Sequence, residues 1–205
     1  MWAFVGDENL WQARLGELGP EVRERWTLVS ASEPLPPAAV YLDLAGQFAQ
    51  NRPSDTAAAW WLVHAPEYTL AELPPQTIRI NGWPGFTQGA DWEVVVPNAT
   101  GEQICSEVLA SLGKQAIAAP DHIGGVGARV LASIINEAYL LHSEGSASRS
   151  DIDQAMKLGT NYPMGPFEWS EQIGPEAVHA LLKRLSETEP RYEPAAALKQ
   201  TIDTP

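Results

Sequence analysis

Histidine and carboxylate side chains are the groups in this 205-residue chain that could act as acids or bases. Few of them lie at positions where an α/β protein would form an active site. Of four histidines, His64 ends a predicted strand at the sheet edge where α/β proteins usually bind ligands, so it is the best candidate for catalysis. The competing interpretation is a strand-end histidine whose hydrogen bonds are satisfied. His122 lies in a linker, and His142 and His179 are predicted at the surface. The sequence has no metal-ligand spacing and no G-x-S-x-G, P-loop or H-E-x-x-H pattern.

The turn after the first predicted strand has the position, but not the residues, of a dinucleotide-binding loop. Such a loop places glycines where backbone N–H groups approach a pyrophosphate. Counted from Gly6, the second and third glycine positions are Glu8 and Trp11. A carboxylate repels the pyrophosphate and an indole prevents close packing, so cofactor binding of this kind, including NAD, is not expected. Gly6 is then interpreted as a turn glycine at a strand end.

An N-terminal region of short strands and helices must position these residues. The predicted strands are Trp2–Val5, Trp26–Ser30, Val40–Leu44, Trp60–His64, Thr77–Ile80 and Trp92–Val96. Helices are predicted over Glu8–Leu18 and Gly101–Leu112, the second ended by Gly113. Alternating strands and helices favour a parallel, doubly wound sheet. We expect a shortened sheet, because the linkers Glu33–Pro37 and Asn51–Asp55 replace longer helices.

After Pro120 the pattern is helical throughout. The apolar stripe of a long helix consists of Val126, Val130, Ile134, Ala138 and Leu141, widened by Leu131 and Ile135. Ser150 is predicted to cap the next helix and Gly159 to end it, and a third helix runs from Pro166 to Gly174. The last clear helix carries Val178, Leu181, Leu182 and Leu185. The predicted domains are an α/β Rossmann-like domain over residues 1–119 and an all-α domain over residues 120–205.

A dense set of motifs fills the segment from Ile134 to Gly174. They are Asn136-Glu137-Ala138, Glu144-Gly145, Ala147-Ser148, Asp151-Ile152-Asp153, Ala155 to Gly159 and Tyr162 to Glu168. This segment resembles the C-terminal helical domain of the 3-hydroxyacyl-CoA dehydrogenases, with Glu171 in place of an aspartate near its end. The resemblance implies a helical domain that mediates homodimerisation, after a Rossmann-like domain that is degenerate here. It also implies NAD-dependent oxidation of (S)-3-hydroxyacyl-CoA as the family's activity.

The resemblance places the family's catalytic pair on a histidine and a glutamate twelve residues apart. Glu93, in a strand that begins at Asp91, matches the glutamate, and the position twelve residues earlier is Asn81. Asparagine cannot take a proton near neutral pH, so general-base catalysis is not expected. Glu93 alone can persist as a structural carboxylate.

Two further family positions also differ. The segment from His64 to Tyr68 has no serine where the family's substrate-contacting serine lies. Ala128 replaces an asparagine that completes the family's active site. Arg129 is retained, although an arginine at a helix start is also explained as a salt-bridge partner.

Composition narrows the classes of partner. The formal net charge is −13 with only 13 lysines and arginines, so nucleic acid is not an expected partner. The single cysteine, Cys105, excludes an intrachain disulfide, fits a reducing compartment and is interpreted as a packing residue. The sequence has no basic leader and no apolar run of membrane-spanning length, so we expect no signal peptide, no membrane partner and a cytoplasmic location.

The tryptophans are concentrated in the N-terminal region: seven of the eight precede Glu93. They could line a pocket for a flat or acyl ligand, or they could fill the core of a shortened sheet, and we favour the second interpretation.

The sequence thus supports a non-catalytic, homodimeric relative of the dehydrogenases that keeps some binding of an acyl or CoA-like ligand. One alternative is an active NAD-dependent enzyme with relocated residues, in which His64 serves as base with Glu93. Another alternative is a structural or regulatory subunit that pairs with a full-length dehydrogenase through the helical domain.

Overall fold

The computed structural model describes residues 1–203. The chain forms two compact units, which are Met1–Gly125 and the segment from Val126 onward. The predicted domain boundary, between residues 119 and 120, lies a few residues before this division. Within the described residues, no helix is long and apolar enough to cross a membrane.

The first unit is built on a sheet. Its strands are β1 (Trp2–Val5), β2 (Trp26–Val29), β3 (Val40–Asp43), β4 (Trp60–His64), β5 (Thr77–Ile80), β6 (Asp91–Val95) and β7 (Gln115–Ala118). Its helices are α1 (Glu8–Leu15), α2 (Pro20–Arg23) and α3 (Ala99–Ser111). The six predicted strands are confirmed to within one residue at each end. No sequence pattern predicts β7, because Ile117 is its only large apolar residue and all four of its residues are exposed.

Two predicted helix boundaries need correction. Helix α1 ends at Leu15 rather than Leu18, because Gly16 adopts a positive φ of 74° and closes the last turn with its N–H on the Gln12 carbonyl. Helix α3 begins at Ala99 because the Asn98 side chain accepts the Gly101 N–H at 3.0 Å. Gly113 follows its end with a φ of 67°, as the sequence predicts.

The strand order is β2-β1-β3-β4-β5-β6-β7, and neighbouring strands are parallel except for β5 and β6. The order changes direction between β1 and β3, so the carboxyl ends of these strands flank the crevice in which α/β proteins bind ligands. Helices α1 and α3 pack on one face of the sheet. The opposite face is covered by loops, because the Pro-rich linkers have replaced the helices of a complete doubly wound fold.

The core of the sheet unit is rich in indole rings. Five tryptophans are at most 3% exposed: Trp11, Trp26, Trp61, Trp83 and Trp92. The Trp61 ring stacks on Tyr41 with 4.4 Å between ring centroids. The interpretation that the indoles fill the core is confirmed for these five. Cys105 is also buried, and burial raises the pKa of its thiol to about 12, as expected of a packing residue.

The second unit is helical. Its helices are α4 (Gly127–Ser143), α5 (Arg149–Thr160), α6 (Pro166–Ile173), α7 (Pro175–Ser186) and α8 (Ala196–Asp203). The cap of α5 is Ser148, whose hydroxyl accepts the Asp151 N–H at 3.2 Å, and not the predicted Ser150. The same helix passes through Gly159 and ends at Asn161, which adopts a left-handed conformation with a φ of 56°. Pro166 and Gly174 begin and end α6 as predicted.

The apolar surface of α4 is wider than the helical unit covers. Leu131 and Ile135 are buried together with Ala128 and Ala132, and these small side chains let neighbouring helices approach closely. In contrast, Val126 and Val130 are 56% and 53% exposed. The predicted stripe therefore divides into a buried face and an apolar face that this chain leaves exposed. Leu140, Leu141 and, on α5, Leu158 are further exposed apolar side chains.

The motifs between Ile134 and Gly174 have structural roles that explain their spacing. Asp153 accepts the Phe167 N–H at 2.8 Å, and a Cβ atom on Gly165 would lie 2.3 Å from the Asp153 carboxylate. Glu168 accepts the Gly165 N–H at 2.8 Å and the Lys157 ammonium at 2.5 Å. Together these contacts fix the corner between α5 and α6.

Asn136, the first residue of the motif on α4, also has a structural role. Its side chain donates to the Glu193 carbonyl at 3.0 Å and accepts the Ala195 N–H at 2.8 Å. This buried amide fixes the segment before α8 against α4.

Candidate functional site

The turn after β1 keeps one glycine for reasons of packing. Gly6 has a φ of 148°, and a Cβ atom there would lie 2.6 Å from Leu10 Cδ2 and 2.8 Å from Phe4 Cε1. Asp7 follows as the cap of α1, and its carboxylate accepts the Leu10 N–H at 2.8 Å. One of the free N–H groups at the start of α1 is therefore bound to a carboxylate of the chain itself.

Glu8 adds a second carboxylate in the first turn of α1. It accepts hydrogen bonds from Gln12 and from the Arg23 guanidinium, both at 3.0 Å. These two hydrogen bonds, from Gln12 first and then Arg23, lower the pKa of Glu8, so it is ionised at neutral pH. The positive end of α1, which attracts phosphates in dinucleotide folds, is occupied by acidic side chains.

Trp11, at the third glycine position, is a core residue. Its ring packs edge-on against Phe4, with ring centroids 5.1 Å apart, and against Trp26 at 6.0 Å. The Arg23 guanidinium lies 5.3 Å from the centre of the same ring. After β2, where a dinucleotide fold carries an acidic residue for the ribose, the chain has Ser30, bonded to Ser32 at 2.7 Å. The residues of this crevice do not fit NAD in the manner of a dinucleotide fold.

Asn81 directly follows β5, next to the strand that carries Glu93. Strands β5 and β6 are antiparallel, with Arg79 opposite Val95 and Ile80 opposite Val94. Continued by one residue, this register places Asn81 opposite Glu93. Paired residues share a face of the sheet, so both belong to the face that the loops cover.

The orientation of the Asn81 amide is fixed by a local hydrogen bond. Its Oδ1 accepts the Trp83 N–H at 3.1 Å, so the amide nitrogen is directed the other way. Nδ2 is enclosed and has no hydrogen-bond partner within the described residues. Asn81 therefore offers a donor, and it has no basic atom with which to remove a proton.

Glu93 lies against the chain that leaves the sheet. A Cβ atom on Gly125, which has a φ of 53°, would lie 1.9 Å from Glu93 Oε1. The neighbouring Gly124 donates its N–H to the Pro66 carbonyl at 2.7 Å. The positive φ favours glycine at position 125, and a side chain there would also push the Glu93 carboxylate aside.

Sequence reasoning missed a buried arginine two residues before Asn81. Arg79 is 4% exposed, and its guanidinium contacts the Asp121 carboxylate at 2.5 Å and the His122 carbonyl at 2.8 Å. Asp121 also accepts the Leu70 N–H. Burial lowers the pKa of Arg79, and the Asp121 and Glu93 carboxylates oppose that shift. The signal was present in the sequence as a charged residue in an apolar strand, Thr77–Ile80.

His64 is partly buried on the other face of the sheet. Strand alternation puts it on the face of Leu62, which α1 and α3 cover, whereas Glu93 belongs to the opposite face. Its Nδ1 accepts the Gly82 N–H at 2.9 Å. Burial, followed by the Arg14 guanidinium, lowers the pKa of His64 to about 3. The alternative in which His64 acts as base beside Glu93 gains no support from this placement.

Other predicted positions have structural partners. Ala128 is buried on α4. Arg129 stacks over Tyr192, 5.0 Å from its ring centre, and approaches Glu189 at 3.4 Å, as expected of a salt-bridge partner. In the segment that lacks the family's serine, Glu67 has a pKa raised by burial. Residues 1–203 contain no group of three metal-ligating side chains.

The fold and these positions define a Rossmann-like α/β unit with a helical unit of the dehydrogenase type. Residues 124–205 match the family described as "3-hydroxyacyl-CoA dehydrogenase, C-terminal domain". This part of the chain is similar to that domain family, and the protein is 3-hydroxyacyl-CoA dehydrogenase-like.

Individual relatives agree with this assignment. The chain is 42% identical over 94 residues to the 3-hydroxyadipyl-CoA dehydrogenase of Escherichia coli K12, covering 45% of this chain and 20% of that protein. It is 37% identical over 95 residues to the mitochondrial hydroxyacyl-coenzyme A dehydrogenase of the mouse, covering 45% and 30%. The chain thus matches less than a third of the length of these two proteins.

A solved structure extends the likeness into the sheet unit. The (S)-3-hydroxybutyryl-CoA dehydrogenase of Ralstonia eutropha superposes with a TM-score of 0.67, covering 88% of this chain and 71% of that one. The identity is 21%, so this likeness concerns the fold.

Proposed function

We propose that this protein binds an acyl-CoA-type ligand without carrying out the NAD-dependent oxidation of its relatives. The observation that carries the proposal is Asn81, which follows β5 where the register with β6 leads toward Glu93. By resemblance, Glu93 is the carboxylate of the family's catalytic pair, and Asn81, in place of the histidine, is an amide that cannot act as a base.

Ligand binding is supported by the unpaired donor of this amide. A buried N–H without an acceptor costs free energy, about 1–3 kcal/mol, which a ligand oxygen would recover. Because Oδ1 is bonded to the Trp83 N–H, Nδ2 is the atom left to donate, and since it is enclosed here a ligand must displace the groups around it to reach it. A carbonyl oxygen, such as that of a 3-oxoacyl thioester, is a suitable acceptor.

The second part of the proposal, the loss of NAD-linked chemistry, rests on the start of α1. The Asp7 and Glu8 carboxylates stand at the helix end where a pyrophosphate would bring further negative charge. The net charge of −13 adds to this repulsion.

Titration with acetoacetyl-CoA and with NADH, read by tryptophan fluorescence, tests both parts. We expect a saturable change with acetoacetyl-CoA and none with millimolar NADH. Asn81→Ala is expected to weaken acetoacetyl-CoA binding by about two- to tenfold, as for one neutral hydrogen bond. Asn51→Ala, at an exposed asparagine of a loop, is the matched control. Saturation by micromolar NADH would contradict the loss of the cofactor site, and the absence of any response to acetoacetyl-CoA would contradict ligand binding.

We also propose that the helical unit mediates association, with a second copy of this chain as the partner. The supporting observation is the pair of exposed apolar side chains Val126, directly before α4, and Val130, on α4. A full-length dehydrogenase is the alternative partner for the same face, and co-purification from the native source would distinguish the two.

A further inference from the structure

A polar cleft lies within the helical unit, and its function does not depend on the proposal above. Its volume is about 670 Å³. The lining residues are His142, Ser143, Arg149, Ala197, Gln200 and Thr201. None of them is acidic, although the chain as a whole has twice as many acidic as basic residues. The cleft is therefore a local exception to the negative charge of the protein.

Arg149 is the cation of this cleft, and it is held in place without a carboxylate. Its guanidinium lies 5.0 Å from the centre of the Phe167 ring and 5.3 Å from that of Tyr139. One of its nitrogens donates to the Thr201 hydroxyl at 3.1 Å. Across residues 1–203, Arg149 forms no salt bridge with an acidic side chain. A rigid guanidinium without a counter-charge is ready to bind an anion, since little side-chain entropy remains to be lost.

Among the other side chains of the cleft, Gln200 carries an exposed amide with N–H donors. The Ser143 and Thr201 hydroxyls donate to the Leu140 and Ala197 carbonyls of their own helices, at 2.7 and 3.1 Å. His142 is oriented by its Nδ1, which lies 3.1 Å from the Ala147 carbonyl and must donate to it, because a carbonyl oxygen only accepts. Guanidinium and amide groups are both donors that proteins use for phosphate oxygens.

We propose that this cleft binds a phosphate group. Arg149 supplies the charge, and the Gln200 amide supplies a further hydrogen bond. The phosphate can be free or part of an organic molecule, and the cleft has room for more than the anion alone. Inorganic phosphate and 3′-AMP are the probes that distinguish these sources.

The test is a titration of the ¹⁵N-labelled protein with each probe, followed by amide chemical shifts in low salt. We expect saturable shifts centred on residues 142, 149 and 200–201. Tighter binding of 3′-AMP than of phosphate would indicate an organic ligand, and equal binding would indicate the free anion. Both results support the site. Shifts absent from these residues, or reproduced by equal concentrations of chloride, would overturn it.

Two substitutions separate binding from folding. Arg149→Met removes the charge but also disturbs the packing on Tyr139 and Phe167. Gln200→Glu leaves that packing intact and puts a carboxylate into the cleft, so it is expected to weaken phosphate binding by about tenfold or more. Gln172→Glu, at an exposed glutamine of α6, makes the same change of charge away from the cleft and is expected to bind like the parent protein. Unchanged binding by Gln200→Glu would refute the proposal even if Arg149→Met fails to fold.

Discussion

Asn81 is one residue beyond the antiparallel pairs Arg79–Val95 and Ile80–Val94, so extending the β5–β6 register brings it opposite Glu93. The Asn81 oxygen is bonded to the Trp83 N–H, and its nitrogen is enclosed without a partner within the described residues. By the resemblance found in the sequence these are the positions of the family's catalytic pair, and an asparagine has no group that accepts a proton.

Restoring a histidine at position 81 alone is not expected to restore oxidation. General-base catalysis is worth about 10²–10⁴-fold, so the gain from Asn81→His would be readily seen if the cofactor bound. The carboxylates of Asp7 and Glu8 oppose that binding. The measurement is NADH formation from 3-hydroxybutyryl-CoA, with Asn81→Gln as the control. Oxidation by the Asn81→His variant would show that the cofactor site is intact.

Trp11 is expected to stabilise the folded sheet unit, in addition to any effect of its ring on cofactor binding. Replacing this buried ring by alanine leaves a cavity beside Phe4 and Trp26 and should cost about 3–5 kcal/mol of unfolding free energy. Urea denaturation measures the loss. Glu8→Gln, at an exposed position three residues earlier, should change stability little. A cost below about 1 kcal/mol for Trp11→Ala would contradict its role in the core.

The pair of Arg79 and Asp121 is expected to stabilise the connection that follows β7. Asp121→Ala leaves a buried guanidinium with fewer partners, and we expect a loss of about 2–3 kcal/mol, less than for a fully buried pair because Asp121 is partly exposed. In the double variant with Arg79→Met, part of the loss should be recovered. Additive effects in this denaturation cycle would show that the two side chains are not coupled.

His64 is expected to make the protein sensitive to acid. An unfolded histidine titrates near 6.5, and the pKa of His64 in the folded protein is about 3. Its neutral form favours folding, so its full contribution is present above pH 6.5 and is lost progressively between pH 6.5 and 3. His64→Gln should therefore reduce the fall in unfolding free energy over this range. His179→Gln, on the surface of α7, is the control, and an unchanged pH profile for His64→Gln would exclude the assigned role.

The exposed face of α4 is expected to mediate self-association. Light scattering at micromolar concentration should give about twice the chain mass of 22.3 kDa. Val130→Glu should shift the mass towards the monomer, whereas Ile117→Glu, a similarly exposed aliphatic position on β7, should not. A mass near 22 kDa for the parent protein would rule out the homodimer.

Much of the sheet could be predicted because its strands are short apolar segments between turn residues. The twelve-residue spacing of Asn81 and Glu93 also agrees with their positions, directly after β5 and within β6. In contrast, Arg79 and Asp121 are 42 residues apart, and no local pattern links an arginine in a strand to a carboxylate in a loop. The cap of α5 was misassigned because Ser148 and Ser150 are equally suitable residues, and only the backbone geometry separates them.

The contacts that fix the corner between α5 and α6 affect how sequences with this motif are assigned to a protein family. Asp153, Gly165 and Glu168 are held by contacts within that corner, and none of them takes part in proton or hydride transfer in the arrangement described above. Selection for a folded helical unit is enough to preserve them whether or not a chain is catalytic. A sequence signature built on this corner will therefore identify catalytic and non-catalytic chains alike, and position 81 is the better one at which to separate them.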